Sequence, residues 1–374
     1  MGWDYIDVII FSGDAFVDHP SFGTAVIARY LQRAGYRVAV VPQPNWRDDL
    51  RDFRKLGAPR LYFGVNAGAM DSMVNHYTAS KRLRSDDAYT PGGRAGQRPD
   101  YTVTVYTGIL KRLYPDIPVV IGGIEASLRR LTHYDYWKDD LLPSVLVTSG
   151  ADWLCYGMGE RPMLELTRAI EAERNLSDIR KIPQLAFYMT GRSREKDALV
   201  LHSYEECRRD GRAFAENFHL IETHANMMHP SVMIEPVGDG HVHVNPPYPP
   251  ATQEEMDSFW DLPYTKLPHP RYKGKRIPHD PAFRHDPQGL FRRLQFLHYS
   301  RPSGEVHPVK VGGFHNQGDR GSARSAGFLR ERLGSRCAYR QHVRNEGPGS
   351  GIVREVRPQV MPFPVSVQEH EPLA

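Results

Sequence analysis

Carboxylate and imidazole side chains beside glycine-rich turns are the residues of this chain that could take part in chemistry. Such groups can bind a polar ligand or move a proton. His76 could act as a ligand or a base, and its alternative role is that of a hydrogen-bonded structural histidine. The candidate residues are Gly13, Asp14, Gly68, Asp71, Asn75, His76, Asp86, Asp87, Gly122, Gly123, Glu125, Gly157, Gly159 and Glu160. The sequence assigns none of them a chemical step.

Cysteines are the other candidates for chemistry. The three in this chain, Cys155, Cys207 and Cys337, are odd in number and far apart. They offer neither a disulfide framework nor the close spacing of a metal site. No metal site is therefore predicted from the cysteines.

The elements that must position these residues alternate between strands and helices. Tyr5–Ser12 and Tyr36–Val41 have the apolar, β-branched composition of buried strands, and Ser21–Ala34 between them has apolar residues at helical spacing. This βαβ unit implies a parallel sheet. The predicted elements that continue the pattern are strands at 60–65, 118–121 and 153–156 and helices at 102–113 and 162–173.

The predicted fold class is therefore α/β, with a doubly wound, flavodoxin-like parallel sheet. Sheets of this kind bind ligands at the carboxyl ends of their strands. The glycine turns at 13, 68, 122–123 and 157–159 follow predicted strands. We therefore expect a ligand crevice there, although each glycine alone could simply allow a tight turn.

Composition changes sharply after Pro278. Residues 1–278 hold 34 Lys and Arg against 35 Asp and Glu, whereas residues 279–374 hold 14 against 9, and 13 of those 14 are Arg. The second segment also has 20 Gly and Pro and no apolar period. A basic segment can bind nucleic acid. The composition of residues 279–374 is explained better by a sequence that was never selected to form an apolar face, so nucleic acid binding is not expected. We predict that residues 279–374 are disordered.

No stretch approaches the roughly 20 apolar residues that a membrane helix needs. The N-terminal residues carry Asp4 and Asp7 in place of the basic region of a signal peptide. These features predict a cytoplasmic protein with no membrane partner.

Several long segments of the chain together resemble one family, the YgiQ-type radical S-adenosylmethionine (SAM) proteins. The segments 67–93 and 119–141 are long and unusual in composition, which makes the resemblance specific. More distantly, the N-terminal fold is similar to the cobalamin-binding domain that precedes many radical SAM cores. The matching segments are 18–38, 67–93, 119–141, 156–162, 201–218, 245–257 and 262–272.

The resemblance implies two cofactors, a [4Fe–4S] cluster and SAM, which the cluster would cleave reductively. The family holds the cluster with three cysteines spaced C-x-x-x-C-x-x-C, and this chain has no such triad. Neither cofactor is therefore expected to bind the chain as written. Cobalt ligation by histidine is not predicted either, since Asp18, His19 and Gly23 lack the Asp-x-His-x-x-Gly spacing.

The missing triad can be recovered by a change of reading frame. When residues 288–298 are translated back with GC-rich codons and one base is dropped, they become RGCFGGCSFC, which contains C-x-x-x-C-x-x-C. The same frame restores family-like residues on both sides. We predict a frameshift near residue 279. The predicted domains are a Rossmann-like domain at 1–200, an irregular bridging segment at 201–278 and an out-of-frame tail at 279–374.

Two classes of function follow. The chain resembles a radical SAM enzyme of unknown small-molecule or macromolecular substrate, and as written it would be a truncated, inactive form. The alternative is a stand-alone Rossmann-like module that binds a ligand or partner. Without the catalytic half, residues 1–278 would expose the surface that normally docks against it. An exposed apolar surface of this kind predicts self-association.

Overall fold

One mixed β-sheet organises the residues that the computed structural model describes, which are 2–193, 195–227, 229–272, 275, 277 and 278. The strands of these residues are β1 (Val8–Ser12), β2 (Val38–Pro42), β3 (Tyr62–Asn66), β4 (Val119–Gly122), β5 (His133–Asp135), β6 (Asp140–Leu142), β7 (Trp153–Cys155), β8 (Leu185–Thr190), β9 (Leu199–Val200), β10 (Met233–Val237) and β11 (Gly240–Val244). The α-helices are α1 (Gly23–Arg33), α2 (Arg51–Arg54), α3 (Ser72–His76), α4 (Thr102–Leu113), α5 (Gly123–Leu128), α6 (Val145–Ser149), α7 (Glu160–Glu171), α8 (Leu176–Ile179), α9 (Tyr204–Arg209), α10 (Gly211–Ala225) and α11 (Gln253–Trp260).

The first half of the sheet is parallel and follows the order β2-β1-β3-β4-β7. Numbered by position among these five strands, the order is 2-1-3-4-5, which is that of flavodoxin-like folds. The predicted α/β, doubly wound fold class is confirmed. The order reverses between β1 and β3, so the two strands leave a switch point at their carboxyl ends.

The second half of the sheet is antiparallel except for its last pair, β10 with β9, which is parallel, and this half is not predicted from the sequence. β8 pairs antiparallel with β7, β11 pairs antiparallel with β8, and β10 pairs antiparallel with β11. The short β9 pairs parallel with β10 at the end of the sheet. The described residues of 201–278 therefore contribute two strands and three α-helices, whereas the sequence predicts an irregular bridging segment there. The β10–β11 hairpin turns at Gly238-Asp239, a short Gly-containing connection that is typical of hairpins.

Helices cover both faces of the parallel half of the sheet, which explains why the strands of this half are largely apolar. Ile9 and Phe11 of β1 belong to the core beneath α4, whereas Val8 and Ile10 belong to the core beneath α1 and α7. Successive residues of a strand point to opposite faces, so a strand buried on both sides has no polar alternation. The β1 residues are all buried.

The helices begin and end close to their predicted bounds. α4 spans the predicted 102–113 despite the β-branched residues in its first turn. Its apolar stripe of Val103, Tyr106 and Leu110 is fully buried, and this burial outweighs the weak helix propensity of valine and threonine. α1 lies within the predicted 21–34.

A buried acid joins the antiparallel half of the sheet to the loop before β5. Glu235 of β10 is 1% exposed, and its two carboxylate oxygens accept hydrogen bonds from the backbone N–H of Thr132 at 3.1 and 2.9 Å. Burial raises the pKa of Glu235 from 4.5 to about 7, against the smaller opposing effect of these hydrogen bonds. The folded chain therefore retains a proton there that the unfolded chain releases at lower pH.

Replacing Glu235 with glutamine should flatten the dependence of stability on pH. Between pH 4.5 and 7 the folded wild-type chain binds more protons than the unfolded chain, so its stability falls as pH rises through this window. We expect Glu235→Gln to gain stability relative to the wild type as pH rises from 5 to 8, on the order of 3 kcal/mol. Urea denaturation at pH 5, 6, 7 and 8 measures the effect. For the exposed control, Glu254→Gln, the plot of unfolding free energy against pH should run parallel to that of the wild type. A parallel plot for Glu235→Gln would contradict the raised pKa of Glu235.

Two further predictions concern membrane-spanning helices and the segment 279–374. Among the described residues, no helix combines the length and hydrophobicity that crossing a membrane requires. The predicted disorder of 279–374 concerns residues that lie outside the described part of the chain.

Candidate functional site

The predicted strand-end residues lie along the carboxyl edge of the parallel strands, and the chain covers that edge itself. The segments 67–101 and 262–272 both pack over it. The N–H of Ala15 donates to the carbonyl of Tyr89 at 2.9 Å, and Asp18 donates to and accepts from the second segment at 3.0 and 2.9 Å. Much of the expected crevice is therefore occupied by protein.

A buried ionic network centred on Arg98 closes the switch point between β1 and β3. Arg98 is 1% exposed, and its Nη1 lies 2.5 Å from Asp14 Oδ1 and donates to the carbonyl of Ala67 at 2.7 Å. Its Nη2 donates to Asp87 Oδ2 at 2.9 Å, and Asp14 Oδ2 accepts from the N–H of Ala69 at 2.5 Å. Burial raises the pKa of Asp14 to about 6, although the charge of Arg98 opposes the rise. The guanidinium thus compensates two carboxylates that are almost completely buried.

Two glycines make room for this network. A Cβ on Gly13 would overlap the carbonyl oxygen of Ala67, and a Cβ on Gly68 would overlap the carboxylate of Asp14. Gly68 also has a φ of +107°, which side chains rarely permit. The predicted glycines at these two strand ends therefore have steric roles in packing Asp14.

Asp71 and Arg129 form a second buried pair. Asp71 caps α3, since its Oδ1 accepts from the N–H groups of Met73 at 2.9 Å and Val74 at 3.2 Å. Its other carboxylate oxygen accepts from Nη1 of Arg129. Asp71 is thereby committed to a helix cap and an ion pair.

Glu125 ties the beginnings of two helices together. It is 1% exposed, and its two oxygens accept from the N–H of Ser72 at 2.9 Å and of Val103 at 2.8 Å. These N–H groups belong to the first turns of α3 and α4, where they have no partner within the helix. Burial raises the pKa of Glu125, and these hydrogen bonds oppose the rise. The carboxylate therefore positions the two helices that carry the loop residues of the site.

His76 and Asp100 form the arrangement with the most evident chemical capacity. The Nδ1 of His76 lies 2.6 Å from Asp100 Oδ1, and the hydroxyl of Tyr77 donates to the other carboxylate oxygen at 2.8 Å. If Nδ1 carries the proton, Asp100 holds the ring so that Nε2 presents a lone pair, as in a general base. Within the described residues, His76 Nε2 and the adjacent Asn75 Nδ2 are both buried and have no hydrogen-bond partner.

The turns after β4 and β7 are bound to each other through Ser127. Its hydroxyl donates to the carbonyl of Gly123 at 2.7 Å and accepts from the N–H of Gly157 at 3.1 Å. A Cβ on Gly122 would approach the carbonyl oxygen of Cys155 to 3.2 Å. The glycines at these strand ends thus serve close packing between neighbouring turns.

Glu160 begins α7 directly after Gly159. Burial raises the pKa of Glu160, and within the described residues its Oε2 is buried without a hydrogen-bond partner. A Cβ on Gly159 would approach the side chain of Ile27 to 3.2 Å, so the glycine lets α7 start close to α1. Glu160 follows β7, whereas the Arg98 network lies at the ends of β1 and β3. In the sheet, β4 separates β3 from β7.

The described residues do not fit an iron–sulfur cluster. Cys155 is 3% exposed and Cys207 is 1% exposed, and burial raises both pKa values, that of Cys207 to about 11. Cluster ligands are thiolates, which burial here disfavours. Across the described part of the chain, no group of three or more His, Cys, Asp or Glu residues could hold a metal ion.

Both buried thiols should be unreactive in the folded chain. With Cys337→Ser in place, we expect no fast reaction with a chromogenic disulfide reagent at pH 8, because a thiol with a pKa of about 11 is thiolate in only about a thousandth of molecules. Unfolding in urea should expose Cys155 and Cys207 and make both react. Rapid reaction of either thiol without urea would contradict the described burial.

The fold and edge together define a flavodoxin-like α/β domain whose carboxyl edge is closed by its own loops. The model for the N-terminal region of radical SAM proteins matches residues 1–284. The chain therefore belongs to the radical SAM N-terminal family, which confirms the resemblance to YgiQ-type proteins.

Curated relatives extend well beyond this match. A UPF0313 protein of Bacteroides thetaiotaomicron is 58% identical over 290 residues, which cover 74% of this chain and 47% of that protein. A UPF0313 protein of Porphyromonas gingivalis is 59% identical over 280 residues, covering 74% and 44%. One of Geobacter sulfurreducens is 45% identical over 278 residues, covering 74% and 46%. The chain spans about half the length of the curated relatives that it matches.

Among solved structures, the chain is similar to the radical SAM methyltransferase TsrM of Kitasatospora setae. The structure with tryptophan substrate and a SAM analogue matches with a TM-score of 0.32 and 20% identity, over 48% of this chain and 28% of that one. The structure with cobalamin and a [4Fe–4S] cluster matches with a TM-score of 0.32 and 19% identity, over 49% and 27%.

Proposed function

We propose that residues 1–278 form the N-terminal part of a radical SAM enzyme whose catalytic part is encoded downstream in another reading frame. The observation that carries the proposal is the family match over residues 1–284, set beside the abrupt change in composition after Pro278. The relatives match 74% of this chain, so the tail beyond the break lies largely outside the similarity.

In the proposed enzyme, the downstream part would bind the cofactors. A [4Fe–4S] cluster there would supply the electron for the cleavage of SAM, and three cysteines in C-x-x-x-C-x-x-C spacing would hold it. The described residues supply no such triad. Residues 1–278 would have a structural and binding role. In them, the Arg98 network and the hydrogen bonds of Glu125 to α3 and α4 fix the loops of the carboxyl edge. The chain as written would be an inactive form of a cytoplasmic enzyme whose substrate is not identified.

Restoring the frame tests the proposal directly. Two proteins are compared after anaerobic incubation with iron and sulfide: the chain as printed, and a version with one base removed between codons 270 and 300 and translated to the next stop. We expect about four iron atoms per restored chain and none in the printed chain. With a reductant and SAM, only the restored chain should release 5′-deoxyadenosine.

A third protein serves as the control. It carries the restored frame with its three triad cysteine codons changed to alanine, and it should bind no cluster. Cluster formation by the printed chain, or the failure of a folded restored chain to bind iron, would contradict the proposal.

We also propose that residues 1–278, without the catalytic part, expose the surface that would dock against it, and that the chain self-associates through this surface. Light scattering after size-exclusion chromatography would detect oligomers of the printed chain and a smaller assembly of the restored one. A monomeric printed chain at high concentration would contradict this.

A further inference from the structure

A cationic cleft lies beside the carboxyl end of β2, apart from the predicted strand-end residues. It has a volume of about 360 Å³, which is within the range of small-ligand sites. Three parts of the chain meet in it: the residue after β2, the loop 90–97, and residues 271, 272 and 275. The lining residues are Gln43, Thr90, Pro91, Gly92, Arg94, Gln97, Arg271, Tyr272 and Lys275.

The charges of the cleft are unbalanced. Three of its lining residues are cationic, and none is acidic. Arg271 Nη2 lies 3.2 Å from Asp52 Oδ2, but that carboxylate is shared with Lys55 at 2.8 Å. Within the described residues, no carboxylate forms an ion pair with Arg94 or Lys275. The cleft therefore holds a surplus of positive charge that an anion would neutralise.

The walls of the cleft are held in place by side-chain hydrogen bonds. Gln43, which has a φ of +43° and is 8% exposed, donates through Nε2 to Thr90 Oγ1 at 2.8 Å and accepts from the hydroxyl of Tyr272 at 3.4 Å. Arg271 Nη1 donates to the carbonyl of Pro42 at 3.0 Å. One buried residue thus connects all three parts of the chain, so the backbone segments that carry the cations are held together before any ligand arrives.

Thr90 further couples the cleft to the ionic network of the edge. Its hydroxyl donates to Asp87 Oδ2 at 2.9 Å, and the same oxygen accepts from Arg98. The loop that carries Arg94 is therefore anchored in the core at Thr90 and at Arg98. An exposed cation on a loop fixed at both sides loses less entropy on binding than one on a free loop.

We propose that this cleft binds the phosphoryl group of a small phosphorylated molecule. Guanidinium groups match phosphate oxygens in a planar, two-point geometry, and an ammonium adds a point charge. The volume exceeds what the phosphoryl group alone needs. The remainder of the ligand would lie against the ring of Tyr272 and against Pro91, with the carboxamide of Gln97 available for polar contact.

Calorimetric titration of the full 374-residue chain tests the proposal, with inorganic phosphate, adenosine monophosphate and acetate as probes at low ionic strength. We expect saturable binding of phosphate and tighter binding of the nucleotide. Arg94→Gln and Lys275→Gln should each weaken binding about tenfold, because each removes a charged hydrogen-bond donor. Both residues are exposed, so the variants should fold.

Arg112→Gln is the matched control. It removes the same charge from the exposed last turn of α4, which does not line the cleft, and should leave affinity within twofold. Three results would overturn the proposal: no saturable binding of phosphate or nucleotide, equal weakening by Arg112→Gln, or acetate binding as tightly as phosphate. A single-stranded oligonucleotide that binds far more tightly than the mononucleotide would also overturn it, in favour of nucleic acid.

Discussion

Replacing Arg98 with methionine is expected to lower the free energy of unfolding by about 3–5 kcal/mol, the cost of removing one partner from a buried ion pair. Methionine has a similar length but no charge, so Asp14 and Asp87 would remain 2% and 3% exposed without a compensating cation. Native proteins are stable by only about 5–15 kcal/mol. Urea denaturation followed by circular dichroism measures the loss, which should shrink towards pH 5 as the carboxyl of Asp14 takes up a proton.

Two controls separate charge from packing in this experiment. Arg112→Met changes an exposed arginine and should alter stability by no more than about 0.5 kcal/mol. Adding Asp14→Asn and Asp87→Asn to Arg98→Met removes the stranded charges and should recover a large part of the loss. A loss below about 1 kcal/mol for Arg98→Met alone would mean that the network is not buried as described.

Alanine at Gly13 or Gly68 is expected to destabilise the chain by about 2–4 kcal/mol, since overpacking and backbone strain add. The new Cβ at Gly13 would overlap the backbone carbonyl of Ala67, which cannot rotate away. At Gly68 it would overlap the carboxylate of Asp14, and the φ of +107° adds strain. Thermal and urea unfolding of the two variants measure the effect.

Gly108→Ala provides a control of opposite sign. Gly108 lies inside α4 and is exposed, and a Cβ there meets nothing within 4 Å. Alanine should therefore raise stability by about 0.5–1 kcal/mol through helix propensity. If all three alanine variants were equally stable, the steric roles given to Gly13 and Gly68 would be wrong.

Local patterns were sufficient for the parallel half of the fold. The burial of β1 on both faces leaves an uninterrupted apolar run, and the stripe of α4 repeats at helical spacing, so both elements are visible in the sequence. The antiparallel half was missed because its strands are short and polar in places. β11 carries His241 and His243, which are buried in the sheet and disguise its strand character.

The partners of the candidate site residues lie outside what local patterns can show. Arg98 is an isolated arginine before a proline in a polar loop, and nothing near it in sequence indicates that it is fully buried between Asp14 and Asp87. Glu125 is predicted from its glycine turn, whereas its contacts are to N–H groups 53 and 22 residues away, in the first turns of two helices. Such pairings arise from the closing of the sheet edge, which brings distant loops together.

Sequencing the source DNA across codons 270 to 300 tests the central claim most directly. The account predicts one base too many or too few in the printed reading, so that the corrected frame continues residues 1–278 into the C-x-x-x-C-x-x-C triad of a radical SAM enzyme. If the printed frame stands, the claim of a shifted tail is contradicted. Any activity of this polypeptide must then come from a chain that has no cysteine triad.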